Sequence, residues 1–230
     1  TGPQSLAVNA IRRRITPYPK GDPRYQPTIE EEIEALDALE PAQLQTLYDD
    51  YLGTQAGELV MVGDFDPDEV LPSLCKIVSG WTGNKPYEHL ALSGDVKERG
   101  SSVSIETPDK ANAMYFAAMA LPMNDEHPDF PGLVIGDFIL GGGSLSSRLA
   151  DRVRQQEGLS YGVASRFNAS AIDPRSTFYI YAIYNPDNVA LVKAAVQEEL
   201  ERLLKDGVTP DELDAAIAGF LQAHRVARTD

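Results

Sequence analysis

The order of elements in this sequence predicts an α+β fold, an α/β roll with a largely antiparallel sheet and helices packed on one face. Two observations carry that expectation. Strand patterns come as neighbours joined by short turns, which makes them antiparallel. Helical patterns come in pairs between them, so consecutive helices return to the same side of the sheet. The chain has 230 residues, 43% of them hydrophobic, enough to bury a real core in one large domain or two small ones.

In order, residues 1–27 carry prolines at 3, 17, 19, 23 and 27 and little periodicity. They read as a linker from a preceding domain, with a short helix over residues 6–14. The main domain is expected over 28–230. Thr28 and Glu31 have capping-box spacing, and Ile29, Ile33, Leu36 and Leu39 follow at helical intervals. Pro41 starts a second helix whose Leu44, Leu47, Tyr48 and Tyr51 are expected to face inward until Gly53. Residues 58–62 read as a short strand. Asp66-Pro67-Asp68-Glu69 supplies a cap, a first-position proline and a box glutamate for the next helix. Cys75, flanked by Leu74 and Ile77, reads there as a small core residue. As a lone cysteine it allows no internal disulfide.

Residues 102–107 and 111–121 read as a strand pair across Pro108-Asp109-Lys110, and 128–140 as a helix. Three glycines follow, Gly141, Gly142 and Gly143. Ser144 can cap the helix after them, with Leu145, Leu149 and Val153 on its buried stripe and Gly158 where the chain must leave it. Residues 161–169 and 176–184 read as strands across the turn at Asp173-Pro174. Asn185-Pro186 opens a helix that ends at Gly207, and Thr209-Pro210-Asp211-Glu212 opens the last one.

The formal charge of −15, from 35 acidic against 20 basic residues, would repel nucleic acid and anionic lipid alike. No apolar run approaches the ~20 residues of a membrane span, and Arg12, Arg13 and Arg14 are not followed by the apolar core of a signal peptide. The chain starts at Thr1, and its last helical pattern runs to the end without a stop, which reads as a piece of something longer.

Three chemical motifs are weighed and set aside. His89, His127 and His224 lie far apart in sequence. Glu126-His127 ends like a His-x-x-Glu-His zinc site, but Met123 stands at the first ligand position and Pro122 and Pro128 bracket it. No metal ligand is expected in this chain. Gly158-Leu159-Ser160-Tyr161-Gly162 matches the Gly-x-Ser-x-Gly nucleophile elbow. However, a helix enters and a strand leaves, the reverse of what an elbow needs, so a serine hydrolase acting through Ser160 is the weakest reading. The triple glycine lacks the Lys-Ser/Thr of a phosphate loop. Arg154 and Tyr161 remain. They could donate hydrogen bonds to a carbonyl or carboxylate, or could answer a helix dipole and anchor a strand, and spacing alone favours the structural role.

The run LGGGSLSSRLADRVRQQEGLSYGV resembles the second-domain pattern of the pitrilysin, insulysin and mitochondrial processing peptidase family of zinc metallopeptidases. YPKGDPRY, LVMVGDFDPDEV and DGVTPDELDAA resemble its flanks. The resemblance implies the non-catalytic half of a two-half chamber, with no catalytic residue and no zinc of its own. Zinc would belong to the parent protein, held by the other half on the same chain or on a partner subunit. The partner would be a peptide or unfolded polypeptide, with Arg154 and Tyr161 as substrate-binding residues and Gly141, Gly142 and Gly143 lending a loop for capture. An inert scaffold relative is the alternative, and bacterial members with this arrangement lean towards export.

Overall fold

The computed structural model describes residues 2–16, 18–94, 100–143 and 146–228. The chain divides into two compact units, one of Thr1–Ile29 with Ala91–Asp230 and the other of Glu30–Leu90.

The larger unit is built on an antiparallel sheet in the order β1-β3-β2: β1 Ala113–Leu121, β2 Ser160–Ala169 and β3 Ser176–Tyr184. Alternation sorts each strand's side chains between two faces. On one face Val163, Ile180, Ala182 and Tyr184 join Leu140, Leu149, Val153, Val192 and Val196 in a single core cluster. It is covered by α6 (Val189–Asp206) and by two wider turns between β1 and β2, and α5 (Phe130–Asp137) and α7 (Pro210–Ala227) pack against the first of those turns. Capping is as the sequence implies. Thr209 and Glu212 form a reciprocal capping box at α7, and Gly207 stops α6 at φ +72°. On the opposite face α1 (Pro3–Ile15) lies over Met114, Phe116 and Ala118 of β1.

The smaller unit holds α2 (Ile29–Asp37, whose first residue belongs to the larger unit), α3 (Pro41–Tyr51) and α4 (Pro67–Val78). Its local signals are honoured: the Asp66 carboxylate accepts from the Asp68 amide, and Tyr48 stacks on Trp81 at 6.0 Å. Its burial is not what periodicity suggested. None of its residues is buried, Leu44, Leu47, Tyr48 and Tyr51 are exposed, and so is Cys75, which is therefore not a core residue.

Two expected strands are also absent. Residues 58–62 and 102–107 lie outside any ladder, and Val60 and Val62 are 80% and 95% exposed. The cause is the same in both. β propensity reports how well a residue fits a ladder, but it does not provide the neighbouring strand.

Candidate functional site

The triple-glycine segment does not end α5 as an ordinary helix. From Phe138 to Gly142 the backbone widens into a π-helical turn that Gly143 closes, its amide donating to the Phe138 carbonyl. The glycines are needed for contact rather than for positive φ. A Cβ on Gly141 would collide with the backbone amide and Oγ of Ser165 on β2. One on Gly142 would come within 2.8 Å of Asp137 Oδ2, and one on Gly143 within 2.6 Å of the Phe138 carbonyl. Ser165 Oγ donates to Asp137 Oδ1 at 2.5 Å, and Arg166 donates to the Gly142 carbonyl at 3.2 Å. Burial pushes the Asp137 carboxyl above its ordinary range, opposed by its bonds from Ser165 and the Phe167 backbone and by Arg166. Glycine loop, β2 and the end of α5 are thus locked together.

Ser144 and Leu145, the expected cap and first stripe residue, lie outside the described residues. The rest of the stripe is in place, with Leu149 and Val153 wholly buried and Ala150 nearly so. Arg148 is held by a two-pronged pair with Glu212 at 2.7 and 2.8 Å and donates to the Gly207 carbonyl. Those bonds from Arg148, with help from Thr209, hold the Glu212 carboxyl down at about 2. From Ala150 to Gln156 the helix is again π-wound, and Gly158 leaves it at φ +62° with the Leu159 amide closing on the Val153 carbonyl.

Arg154 sits on this second π turn, exposed, and among the described residues it has no ion-pair or hydrogen-bond partner. Tyr161 comes just after the Gly158 turn. Ser160 pairs with Tyr184 and Gly162 with Ile183, so Tyr161 is the extra residue of a β-bulge. Its side chain is 72% exposed. Bulges re-aim a side chain out of the alternating pattern, and here the bulge turns a phenol outward where a regular ladder would have ended. Nothing in the sequence reading identified the bulge or the π turns. An isolated glycine inside a strand pattern, Gly162, is the signal that could have found the first.

Ser160 is set differently from its neighbour. It is 7% exposed, and its Oγ donates to the Ile183 carbonyl at 2.7 Å, lies 2.9 Å from the Gly162 carbonyl and accepts from the Gly162 amide. A hydroxyl tied into the bulge in this way holds the backbone, and among the described residues its hydrogen bonds are with Ile183 and Gly162. The His224 ring packs at a tilt against Phe220, and His127 Nδ1 accepts from the Asp129 amide. Among the described residues no group of three or more His, Cys, Asp or Glu could hold a metal ion, so these residues do not fit a zinc site. Nor, among them, is any helix long and apolar enough to cross a membrane.

A three-stranded antiparallel sheet with most of its helices over one face, α1 on the other and a glycine-rich helix–turn–strand unit between β1 and β2 is an α+β domain. Residues 38–220 match the family described as Peptidase M16 inactive domain, and the chain belongs to that family, as its resemblance to the pitrilysin and processing peptidase group implied. A Helicobacter pylori protein described as the non-peptidase homolog YmxG is 30% identical over 160 residues, 69% of this chain and 35% of that protein. An uncharacterized zinc protease of Streptomyces coelicolor, SCO5738, is 36% identical over 85 residues, 37% of this chain and 18% of that protein. In fold, the chain is similar to the peptidase M16 inactive domain from Pseudomonas fluorescens, with a TM-score of 0.76 at 24% identity over 94% of this chain and 50% of that one. The chain therefore spans about a third of the Helicobacter relative and half of the Pseudomonas structure.

Proposed function

We propose that this chain is the substrate-binding, catalytically inactive part of a zinc metalloendopeptidase, and that Arg154 and Tyr161 hold the backbone of a peptide opposite a zinc site borne by another part of the parent protein or by a partner subunit. Residues 28–230 would form the C-terminal domain of that protein. The observation that carries the reading is the bulged Tyr161, an exposed phenol thrown out of the ladder seven residues after an exposed arginine that has no partner among the described residues. Both side chains are donors, seven residues apart on either side of the Gly158 turn, and an extended peptide offers carbonyls to receive them. Gly141, Gly142 and Gly143, already packed against Ser165, Asp137 and Phe138, would take part in such a site only through their backbone groups. Zinc, in the other half, would polarise the scissile carbonyl and activate water; the residues here bind and orient.

A second reading is favoured by one finding, the description of the Helicobacter relative as a non-peptidase homolog. Under it the chain is an inert scaffold. Photo-cross-linking separates the two. A photoreactive phenylalanine analogue at position 161 of the complete protein is expected to capture a peptide substrate, and unlabelled substrate should compete. Cross-links only to the protein itself would support the scaffold.

A further inference from the structure

The sheet's second face carries a site of its own. Between α1 and the strands lies a cavity of about 710 Å³, bordered by Arg12, Gln26, Asn168, Arg175, Tyr179 and Tyr181 among others. Among the described residues that line it there is no Asp or Glu. In a chain with 35 acidic residues and a net charge of −15, a concavity whose described lining holds two arginines and no carboxylate is a local inversion of charge. Its volume lies within the range of ordinary ligand pockets.

The two arginines differ in kind. Arg175 is half-buried and fixed: its guanidinium donates to the carbonyls of Ser93 and Ile15 and to Thr16 Oγ1, which ties the end of α1 to the sheet. A guanidinium has five N–H donors, so two of them have no partner among the described residues. Arg12 is exposed on α1 and, among the described residues, pairs with nothing. The register places Tyr179 opposite Ala118 and Arg166, and Tyr181 opposite Phe116 and Ala164. Phe116 stacks on Tyr179 at 5.4 Å. The floor is therefore rigid and aromatic, with phenols that donate hydrogen bonds and a cation at its edge.

We infer that this cavity binds a carboxylate of a peptide, so that the substrates held by this domain carry acidic residues or a free C-terminus at the segment that reaches it. The inference rests on the peptide-binding reading of Arg154 and Tyr161 and adds a substrate class to it. Charge complementarity selects the ligand. Nucleic acid would meet the net negative charge of the rest of the chain, whereas a peptide carboxylate needs only this local reversal. Arg12 supplies the free cation, the open donors of Arg175 a second, and Tyr179 and Tyr181 the neutral donors and a ring surface for the adjoining chain.

The test uses the 230-residue chain, labelled with ¹⁵N, and follows the arginine Nε–Hε signals. It is titrated with a short acetylated, amidated peptide rich in glutamate, with the glutamine version, and with the glutamine version bearing a free C-terminus. The expected result is movement of the Arg12 and Arg175 signals with either carboxylate-bearing peptide, with affinity ~10-fold above that of the all-glutamine amide. Which of the two binds tighter identifies the source of the carboxylate. Arg12→Gln, a change at an exposed position, should abolish most of that preference, and Arg12→Lys should restore part of it. Arg175→Gln is the less useful variant because Arg175 also holds α1. Equal binding of all three peptides, saturation by inorganic phosphate at the same concentration, or a preference that survives Arg12→Gln would overturn the inference. If the peptides bind alike and Arg154→Ala weakens all of them, the peptide-binding reading stands and the carboxylate cavity falls. If no peptide binds, both fall.

Discussion

The two faces of the sheet belong to the same strands and differ in almost everything else. One is closed by helices over Leu149, Val153, Ile180, Val192 and Val196, each 2% exposed or less. The other presents Tyr179, Tyr181, Asn168 and Thr177 to a cavity beneath a single helix. Strand alternation requires only that the faces differ. It leaves open what each one does, and here the closed face supplies stability while Arg12 over the open face and Arg154 and Tyr161 about the Gly158 turn have no hydrogen-bond or ion-pair partner among the described residues. The contrast teaches that a side chain's role is read from whether its bonding capacity is spent inside the fold.

The largest effect is expected on the closed face. Ile180→Ala should destabilise the chain by about 3–4 kcal/mol through lost burial and a cavity, measured by denaturant unfolding. A cost below about 1 kcal/mol would mean that this core is not packed as described.

Next comes the Arg148–Glu212 pair, which ties the helix after the glycine loop to α7. Glu212→Gln should cost about 2–3 kcal/mol near neutral pH, since Arg148 would keep a buried guanidinium with a weaker partner. Its folded pKa is depressed from 4.5 to about 2. The stabilisation is thus fully present above the unfolded value and is lost as pH falls through the folded one. Unfolding of the Gln variant should respond less to acid between those values. Asp137 runs the other way: its folded pKa is raised, so its contribution is present at low pH and fades as pH rises through that folded value. Asp137→Asn should accordingly remove a pH dependence of opposite sign, and a parallel pH profile for the two variants would contradict these assignments.

The smallest effect is Tyr161→Phe, which keeps the ring and removes one hydroxyl. On stability it should be within about 0.5 kcal/mol of zero, because the side chain is exposed. A larger loss would mean that Tyr161 serves the fold, as an anchor.

Much of the larger unit was legible in the sequence. The strand expected over 176–184 is β3 without change, and those over 111–121 and 161–169 differ from β1 and β2 by one or two residues. The caps at Asp66, Asn185 and Thr209 all accept the expected amide. Such signals are local, and local chemistry decides them. The strands over 58–62 and 102–107 were not safe to infer because a ladder is a relation between segments, and the same limit explains why the apolar stripe of α3 is exposed. Arg154 and Tyr161 could be named from the family resemblance, and Tyr161's exposure depends on a bulge that only the pairing register reveals. Arg12 and Arg175, 163 positions apart, share a cavity only because α1 crosses the sheet.

The central claim, that Arg154 serves a substrate and not the fold, is tested most directly by Arg154→Ala in the complete protein together with the proposed zinc-bearing half. Steady-state kinetics on a peptide substrate, zinc content and thermal unfolding should be measured on the same preparation. Loss of a charge-assisted bond formed on binding should lower kcat/KM by roughly ten- to a hundred-fold, with part of the loss in kcat because the peptide is held out of line. Zinc content and Tm should not move. Full activity would contradict the substrate-binding role, and a fall in Tm that accounts for the lost activity would assign Arg154 to the fold.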